Sequence, residues 1–508
     1  MKKLFAMILG MCLLLSPLCM TAFAADDPAA PVLRISGEKR DGKLVHIRDY
    51  TVFDDGWNAA MELAINSKEL NKNEYTRVVV DLLADWEAGG GEFTDDTLNG
   101  KGFNWDAIYF YDEARITLNL NGHTINRGLT SYQYNGEVMY IDEDADVIIN
   151  GGKIGDPIIA PGEDPGDVQM GTITGGFSCN GAGGIHVNDG AKVTLNNVCV
   201  IGNTVEDDKG AAIALYDGAT LTMNGGSLSN NNLKNFFDVF QLCEGVLYAE
   251  DSTATLNKVT ISGNKSLSSE IESGLVIAMA EDSAVTLDGC LVEDNGTDEK
   301  SVAMSIFFSH DEECVLTLKD TDIKNNGRET TINNEPSALF SITGTLIMDN
   351  GCTVTGNNTV GLFSFYYSEY CYANIRKTTF TDNTSQIFRY SVPYGDSYSF
   401  AFTDCAFNNN KGSWNDCTFT RHEKVPVTFT DCDFGNSSFT DNAKTYFTFI
   451  DSGAAEPTAV GSLFGGGSLS MVVAILALAA SIAAVGVSIS SSKKTASAKS
   501  GEAREDEE

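Results

Sequence analysis

Leu256-Asn257-Lys258-Val259-Thr260-Ile261-Ser262-Gly263-Asn264 is the stretch that decides the fold. An aliphatic residue, two polar residues, a small or aliphatic one, a polar one and a further apolar one lead into a polar turn that ends on asparagine. The phrase recurs at Leu120–Ile125, Ile149–Ile154, Leu195–Asn203, Met223–Asn231, Leu287–Asn295, Leu318–Asn326, Ile375–Asn383, Phe402–Asn410 and Phe429–Asn436, with a shifted copy at Asp349–Asn357. From Asn203 onward the terminal asparagines are separated by 28, 33, 31, 31, 31, 26, 27 and 26 residues. A period of this length marks stacked structural repeats.

Before each phrase the chain repeats an apolar segment, an acidic turn and a second apolar segment, as in GGIHVNDGAKVTL, AAIALYDGATLTM and LVIAMAEDSAVTL. Apolar and polar residues alternate within them, which is the period of half-buried strands. Each repeat therefore offers three short strands and three turns. One coil cannot bury its inner face alone, but eleven stacked coils enclose a continuous apolar column, roughly 50 Å long at about 4.8 Å per rung. A leucine-rich repeat shares part of the phrase. It would follow the asparagine with a helix or a tight turn carrying more leucines, whereas here further β-type segments follow.

The phrase ITLNLNGHTI at Ile116–Ile125, followed by coils of the VTLNNVxIxGN kind, resembles the right-handed parallel β-helix of pectate-lyase-like and related bacterial cell-surface proteins. The resemblance covers roughly residues 111–450. It implies an all-β, right-handed parallel β-helix solenoid, but little about activity, because that fold hosts lyases, hydrolases, adhesins and inert stalks. The NTD, GHG and RIK signatures of polygalacturonase-like members are missing.

The two ends of the column need covering. Trp57, Ala60, Met61, Ala64 and Ile65 recur at helical spacing after Asp54, Asp55 and Gly56, which predicts a short capping helix. Arg77–Leu83 reads as a first strand, and Tyr446–Ile450 as a closing one. Residues 25–110 are assigned to the cap, 111–450 to the repeats and 451–468 to a flexible linker.

The chain ends set the expected compartment. Lys2 and Lys3, an apolar run from Leu4 to Leu18 and Ala22-Phe23-Ala24 form a secretory signal over residues 1–24. Leu469–Ile489 holds 21 residues without an Asp, Glu, Lys or Arg, enough for a membrane-spanning helix. Lys493, Lys494 and Lys499 follow, so the tail 490–508 is expected in the cytoplasm and the solenoid outside the cell. The 508 residues carry 34 Lys+Arg against 70 Asp+Glu, a net charge of −36, which disfavours nucleic acid and anionic membrane surfaces as partners.

Candidate chemistry lies in four groups. Cys290, Cys352, Cys405 and Cys432 fall at the inward position held by Val198 and Val259, where a thiol acts as a small hydrophobe. The terminal asparagines, from Asn203 to Asn436, are expected to stack as a structural ladder at one turn, because asparagine tolerates a left-handed backbone and bonds neighbouring amides. Acidic turn residues, among them Asp189, Asp217, Glu250, Asp251, Glu281, Asp282, Asp311, Glu312 and Glu313, would line one edge; solvation or a calcium ion bridging Asp217, Asp251, Asp282 and Asp311 would offset their repulsion. No DxDxDG loop accompanies them, and no other cofactor is implied. Tyr366, Tyr367, Tyr370, Tyr394 and Tyr398 could grip sugar rings, with Tyr372 and Tyr390 nearby, or could turn inward and fill wider coils. The five histidines share no spacing, and His123 belongs to a turn. No row of basic residues marks a lyase site. These features favour an anchored surface protein that binds an extracellular glycan or a surface protein, with a tethered polysaccharide lyase or hydrolase, or a passive spacer, as alternatives.

Overall fold

The computed structural model describes residues 30–65, 75–88, 108–234, 244–266, 274–298, 305–328, 331–332, 335–336, 338–364, 370–384, 386–389, 397–410, 427–435 and 447–452. Among them the chain forms a parallel β-solenoid with a single helix. Successive coils lay strands on three long sheets of 15, 11 and 10 strands. One coil runs through Thr220–Asn224 on the first sheet, Ser227–Ser229 on the second and Gly245–Glu250 on the third. Between the second and third sheets, four coils add a rung of a small fourth sheet, Phe177–Ser178, Thr204–Glu206, Asn232–Lys234 and Lys265–Ser266, which the repeat phrase does not announce.

The alternation in the sequence becomes columns in space. Leu195, Met223, Leu256, Leu287 and Leu318 pair position by position along the first sheet, and all five are fully buried. Val200, Leu228, Ile261, Val292 and Ile323 form the equivalent column of the second sheet. Each such side chain contributes about 1.5–3 kcal/mol by leaving water. Towards the C-terminal end the filling changes from aliphatic to aromatic: Phe380, Phe407 and Phe434 stack at 4.9 and 5.3 Å, and Phe402, Phe429 and Phe449 at 5.0 and 5.4 Å.

The N-terminal end is closed by more than a helix. β1 (Leu33–Lys39) and β2 (Leu44–Tyr50) form an antiparallel hairpin, followed by α1 (Phe53–Ile65) and β3 (Tyr75–Leu82). β1 pairs antiparallel with β3, and β3 pairs parallel with Arg115–Asn119, so the parallel ladder begins inside the region assigned to the cap. α1 buries Phe53, Trp57, Ala60, Met61 and Ala64 as the spacing predicts, while Ile65 at its end is exposed. The Trp57 ring meets Phe110 edge-on at 5.0 Å and donates its indole N–H to the carbonyl of Tyr109, 3.1 Å away. No helix among the described residues is long and apolar enough to cross a membrane. The segments 1–24, 453–468, 469–489 and 490–508 lie outside them.

The asparagine ladder is present, with a different backbone from the one expected. Asn203, Asn231, Asn264, Asn295, Asn326, Asn357 and Asn383 are buried one rung apart. Each Oδ1 from Asn231 to Asn383 accepts two N–H groups of the preceding asparagine, its backbone amide and its Nδ2, as Asn295 does from Asn264 at 3.1 and 2.8 Å. Nδ2 also donates to a strand carbonyl, for Asn295 that of Ile261 at 2.9 Å. The left-handed residue is the one before the ladder, Gly202, Asn230, Gly263, Asp294, Asn325, Gly356 and Asp382, all at positive φ. The ladder asparagine is selected by its amide, and the turn is made by its neighbour. Asn436, the last copy of the phrase, lies outside the described residues.

Replacing Asn295 by Ala strips two acceptor contacts from Asn264 and leaves those buried N–H groups without partners, a loss of about 1–3 kcal/mol for each. Urea unfolding of the full chain followed by circular dichroism should show a loss of at least about 2 kcal/mol. A change below about 0.5 kcal/mol would mean that the ladder does not hold the rungs.

Candidate functional site

Outward positions of the third sheet assemble a feature with no signature in the linear sequence. Pairing of Ile108–Phe110, Met139–Ile141, Ile185–Val187, Gly210–Leu215 and Gly245–Glu250 places Tyr109, Tyr140, His186, Ala214 and Tyr248 in one column. Tyr109 and Tyr140 stack at 5.0 Å, and Tyr140 and His186 at 4.6 Å. Ala214 carries no ring, and Tyr216 fills its place, stacking on His186 at 4.8 Å and tilting towards Tyr248 at 5.7 Å. The ring faces thus cover one another; Tyr248 is fully buried in a cluster with Ala182, Ala214, Ala278 and Phe308, and a ligand would meet only the edges of the half-buried rings of Tyr109, Tyr140, His186 and Tyr216.

Carboxylates fasten this column. Tyr109 donates its hydroxyl proton to Asp142, and Tyr248 donates to Glu250. Lys209 forms an ion pair with Glu250 and lies over the rings of Tyr248 and Tyr216, 4.8 and 5.5 Å from their centroids. Next to Lys209, Asp208 accepts N–H groups from Gly181 at 2.6 Å and from Lys209 at 2.8 Å. Glu137 accepts from Ser178 and is fully buried, as is Glu244.

Burial divides these groups electrically. It raises the Asp208 carboxyl above the ordinary range, against the pull of its two backbone donors and Lys209. Burial acts the same way on Glu250, but hydrogen bonds from Lys209 and Tyr248 outweigh it and keep Glu250 below the ordinary range. The Tyr216 hydroxyl is pushed well up by burial and then by Asp208, Glu250 and Glu137. Burial lowers His186 to about 4, so its imidazole is neutral at neutral pH. Its Nδ1 sits against Gly181, where a Cβ would lie 2.0 Å from that nitrogen and where φ is +94°. Only glycine suits that backbone.

The expected sites fall elsewhere. Tyr366, Tyr367, Tyr390 and Tyr394 lie outside the described residues. Tyr370 and Tyr398 lie on the first-sheet strands Tyr370–Arg376 and Ser397–Thr403, in register with Ser397 and Cys371 respectively. Tyr372, one residue beyond Cys371, is 46% exposed. Asp217, Asp251, Asp282 and Asp311 follow the third sheet as a row of turns. Asp217 donates its N–H to the carbonyl of Glu250, and Asp311 accepts the N–H of Glu281 at 2.7 Å. Among the described residues no group of three or more His, Cys, Asp or Glu is arranged to hold a metal ion. The row begins beside the tyrosine column, so acidic turns and aromatic rings share one edge of the solenoid.

No protein-family model matches the chain, nor does any curated protein or solved structure.

Repulsion along the acidic row has a measurable consequence. Glu143 is raised by Asp189 and Asp112, and Asp251 and Glu281 by burial and then by neighbouring acids. A carboxyl raised in the folded state binds protons more readily there than in the unfolded chain. Its penalty is therefore present at neutral pH and is relieved as pH falls through the folded value. Between pH 7 and 5 the buried His186 acts the other way, because the unfolded chain takes up its proton and the folded one does not, so salt isolates the repulsion: monovalent salt at pH 7 should raise the melting temperature. Calcium exceeding the effect of salt at equal ionic strength would indicate a dedicated site, and a melting temperature that monovalent salt leaves unchanged or lowers would contradict the repulsion.

Proposed function

We propose that the chain is a membrane-anchored surface protein whose right-handed solenoid faces outward and binds a glycan or the surface of a neighbouring or host cell. The observation that carries this reading is the edge on which the half-buried Tyr109, Tyr140, His186 and Tyr216 run beside Asp142, Asp217, Glu250 and Asp251 over successive rungs. A linear polymer fits a linear site, and carboxylates and tyrosine hydroxyls offer hydrogen bonds to sugar hydroxyl groups along it. The signal-like sequence at 1–24, the apolar run at 469–489 and the net charge of −36 are the sequence features that support an extracellular partner. A calcium ion would bridge the acidic row at Asp217, Asp251, Asp282 and Asp311.

One observation favours a second reading, a tethered polysaccharide hydrolase. Asp208 is held towards its neutral form and Glu250 towards its ionised form around a shared Lys209, and a divided pair of carboxyl groups is what acid–base cleavage of a glycosidic bond needs.

Full-length protein in detergent, run through gels containing neutral, acidic and amino-sugar polysaccharides, should be retarded by at least one of them. Tyr140→Ala should weaken that retardation several-fold without unfolding the chain. Release of reducing ends that is lost in Asp208→Asn would favour the hydrolase. Neither retardation nor cleavage would leave the spacer or a protein partner.

A further inference from the structure

The corner between the first and second sheets carries one inward column that the cysteines share with other small residues. In rung order it reads Cys290, Thr321, Cys352, Thr378, Cys405 and Cys432, all of them buried. Threonine separates the first three cysteines from one another: Cys290 donates its backbone N–H to the hydroxyl oxygen of Thr321, and the Thr379 amide beyond Thr378 bonds to the carbonyl of Cys352. Only Cys405 and Cys432 occupy consecutive rungs of this column. The pairing of Phe402 with Phe429 and Thr403 with Thr430, and the bridge from Ala406 to Asp433, fix them opposite each other. Both are 2% exposed, and both sulfurs face equivalent carbonyls: Cys405 those of Ile375 and Thr403, Cys432 those of Phe402 and Thr430.

We propose that Cys405 and Cys432 are an oxidisable pair that closes to a disulfide and staples the last rungs of the solenoid together. Neighbouring rungs set the two Cα atoms about 4.8 Å apart, within the span of about 4.4–6.8 Å that a disulfide bridges. The Cβ atoms must approach by roughly 1 Å from rung spacing. Each thiol donates to backbone carbonyls of its own corner, and the electrostatic influence of the two sulfurs on each other pushes the Cys405 thiol above its ordinary range and holds that of Cys432 below it. Cys432 is therefore the better nucleophile.

With a small disulfide such as oxidised glutathione as the oxidant, the Cys432 thiolate attacks one sulfur and expels a glutathione thiolate, which takes up the Cys432 proton. Deprotonated Cys405 then attacks the Cys432 sulfur of the mixed disulfide, expelling the second glutathione, which takes up the Cys405 proton. One S–S bond forms, two S–H bonds are lost and two glutathione thiols result. Access follows from position. Among the described residues the first sheet has only Phe447–Ile450 beyond Thr430, and end rungs of a solenoid open at lower cost than central ones.

The full chain, produced in an oxidising compartment, is denatured and alkylated, and its peptides are mapped by mass. A second sample is first incubated with oxidised glutathione in sub-denaturing urea. The expected result is a peptide pair joined through Cys405 and Cys432, alkylated Cys290 and Cys352, and a melting temperature several degrees above that of the reduced chain. Cys432→Ser should abolish both the joined pair and the rise. Free thiols at 405 and 432 in both samples, or either cysteine joined to a different partner, would overturn the proposal.

Discussion

Rung-to-rung registration is the constraint on which the rest of the molecule depends, and the buried asparagine ladder is the part of it that tolerates no slippage. A hydrophobic column alone would tolerate a coil that slid by two residues, because leucine would replace leucine. An asparagine whose Oδ1 receives two N–H groups from the rung below cannot slide without stranding buried donors. Along the ends of the first-sheet strands a second amide chain repeats the logic at lower stakes. Asn257 donates to Asn224, Asn224 to Asn196, Asn196 to Asn150, Asn150 to Asn119, and Asn119 to the carboxylate of Asp81. Its members are mostly half-buried, so water can replace a missing partner.

The inner faces were legible in the sequence because they repeat at fixed offsets from the turn asparagine. Val259 and Cys290 occupy the same inward corner, and both are buried. The residue that makes the left-handed turn was misplaced by one position. Both Gly263 and Asn264 are turn formers by composition, and only the backbone separates the residue that bends from the residue that bonds. The antiparallel hairpin β1–β2 escaped notice because it lies outside the repeat and has no copy to compare.

The tyrosine column was not legible for a different physical reason. Its members are neighbours across rungs whose connecting loops vary in length, so Tyr140 and His186 stand 46 residues apart while His186 and Tyr216 stand 30 apart. Ala214 breaks the column at the aligned position, and Tyr216, two residues later, restores it. A search for local clusters is drawn instead to residues 366–398, where tyrosines crowd the chain. Sequence density and spatial proximity part company in a solenoid, because distance along the chain advances about thirty residues for each 4.8 Å of axis.

Surface and interior also differ in what they can afford to change. An inward residue is held by neighbours above, below and across, so its replacement disturbs several rungs; the outer face of the third sheet rests on a backbone that those inner contacts already fix. Tyr109, Tyr140, His186 and Tyr248 alternate with Ile108, Met139, Ile185 and Leu247, which supply the packing. Such a division lets polar and aromatic groups be set out along a rigid line without weakening the column beneath. Lys209 and Asp208 sit where the small fourth sheet gives way to the third, beside the rung at which the aromatic column is interrupted. A charged group can be kept there at low cost because Glu250 and two aromatic rings replace the water it loses.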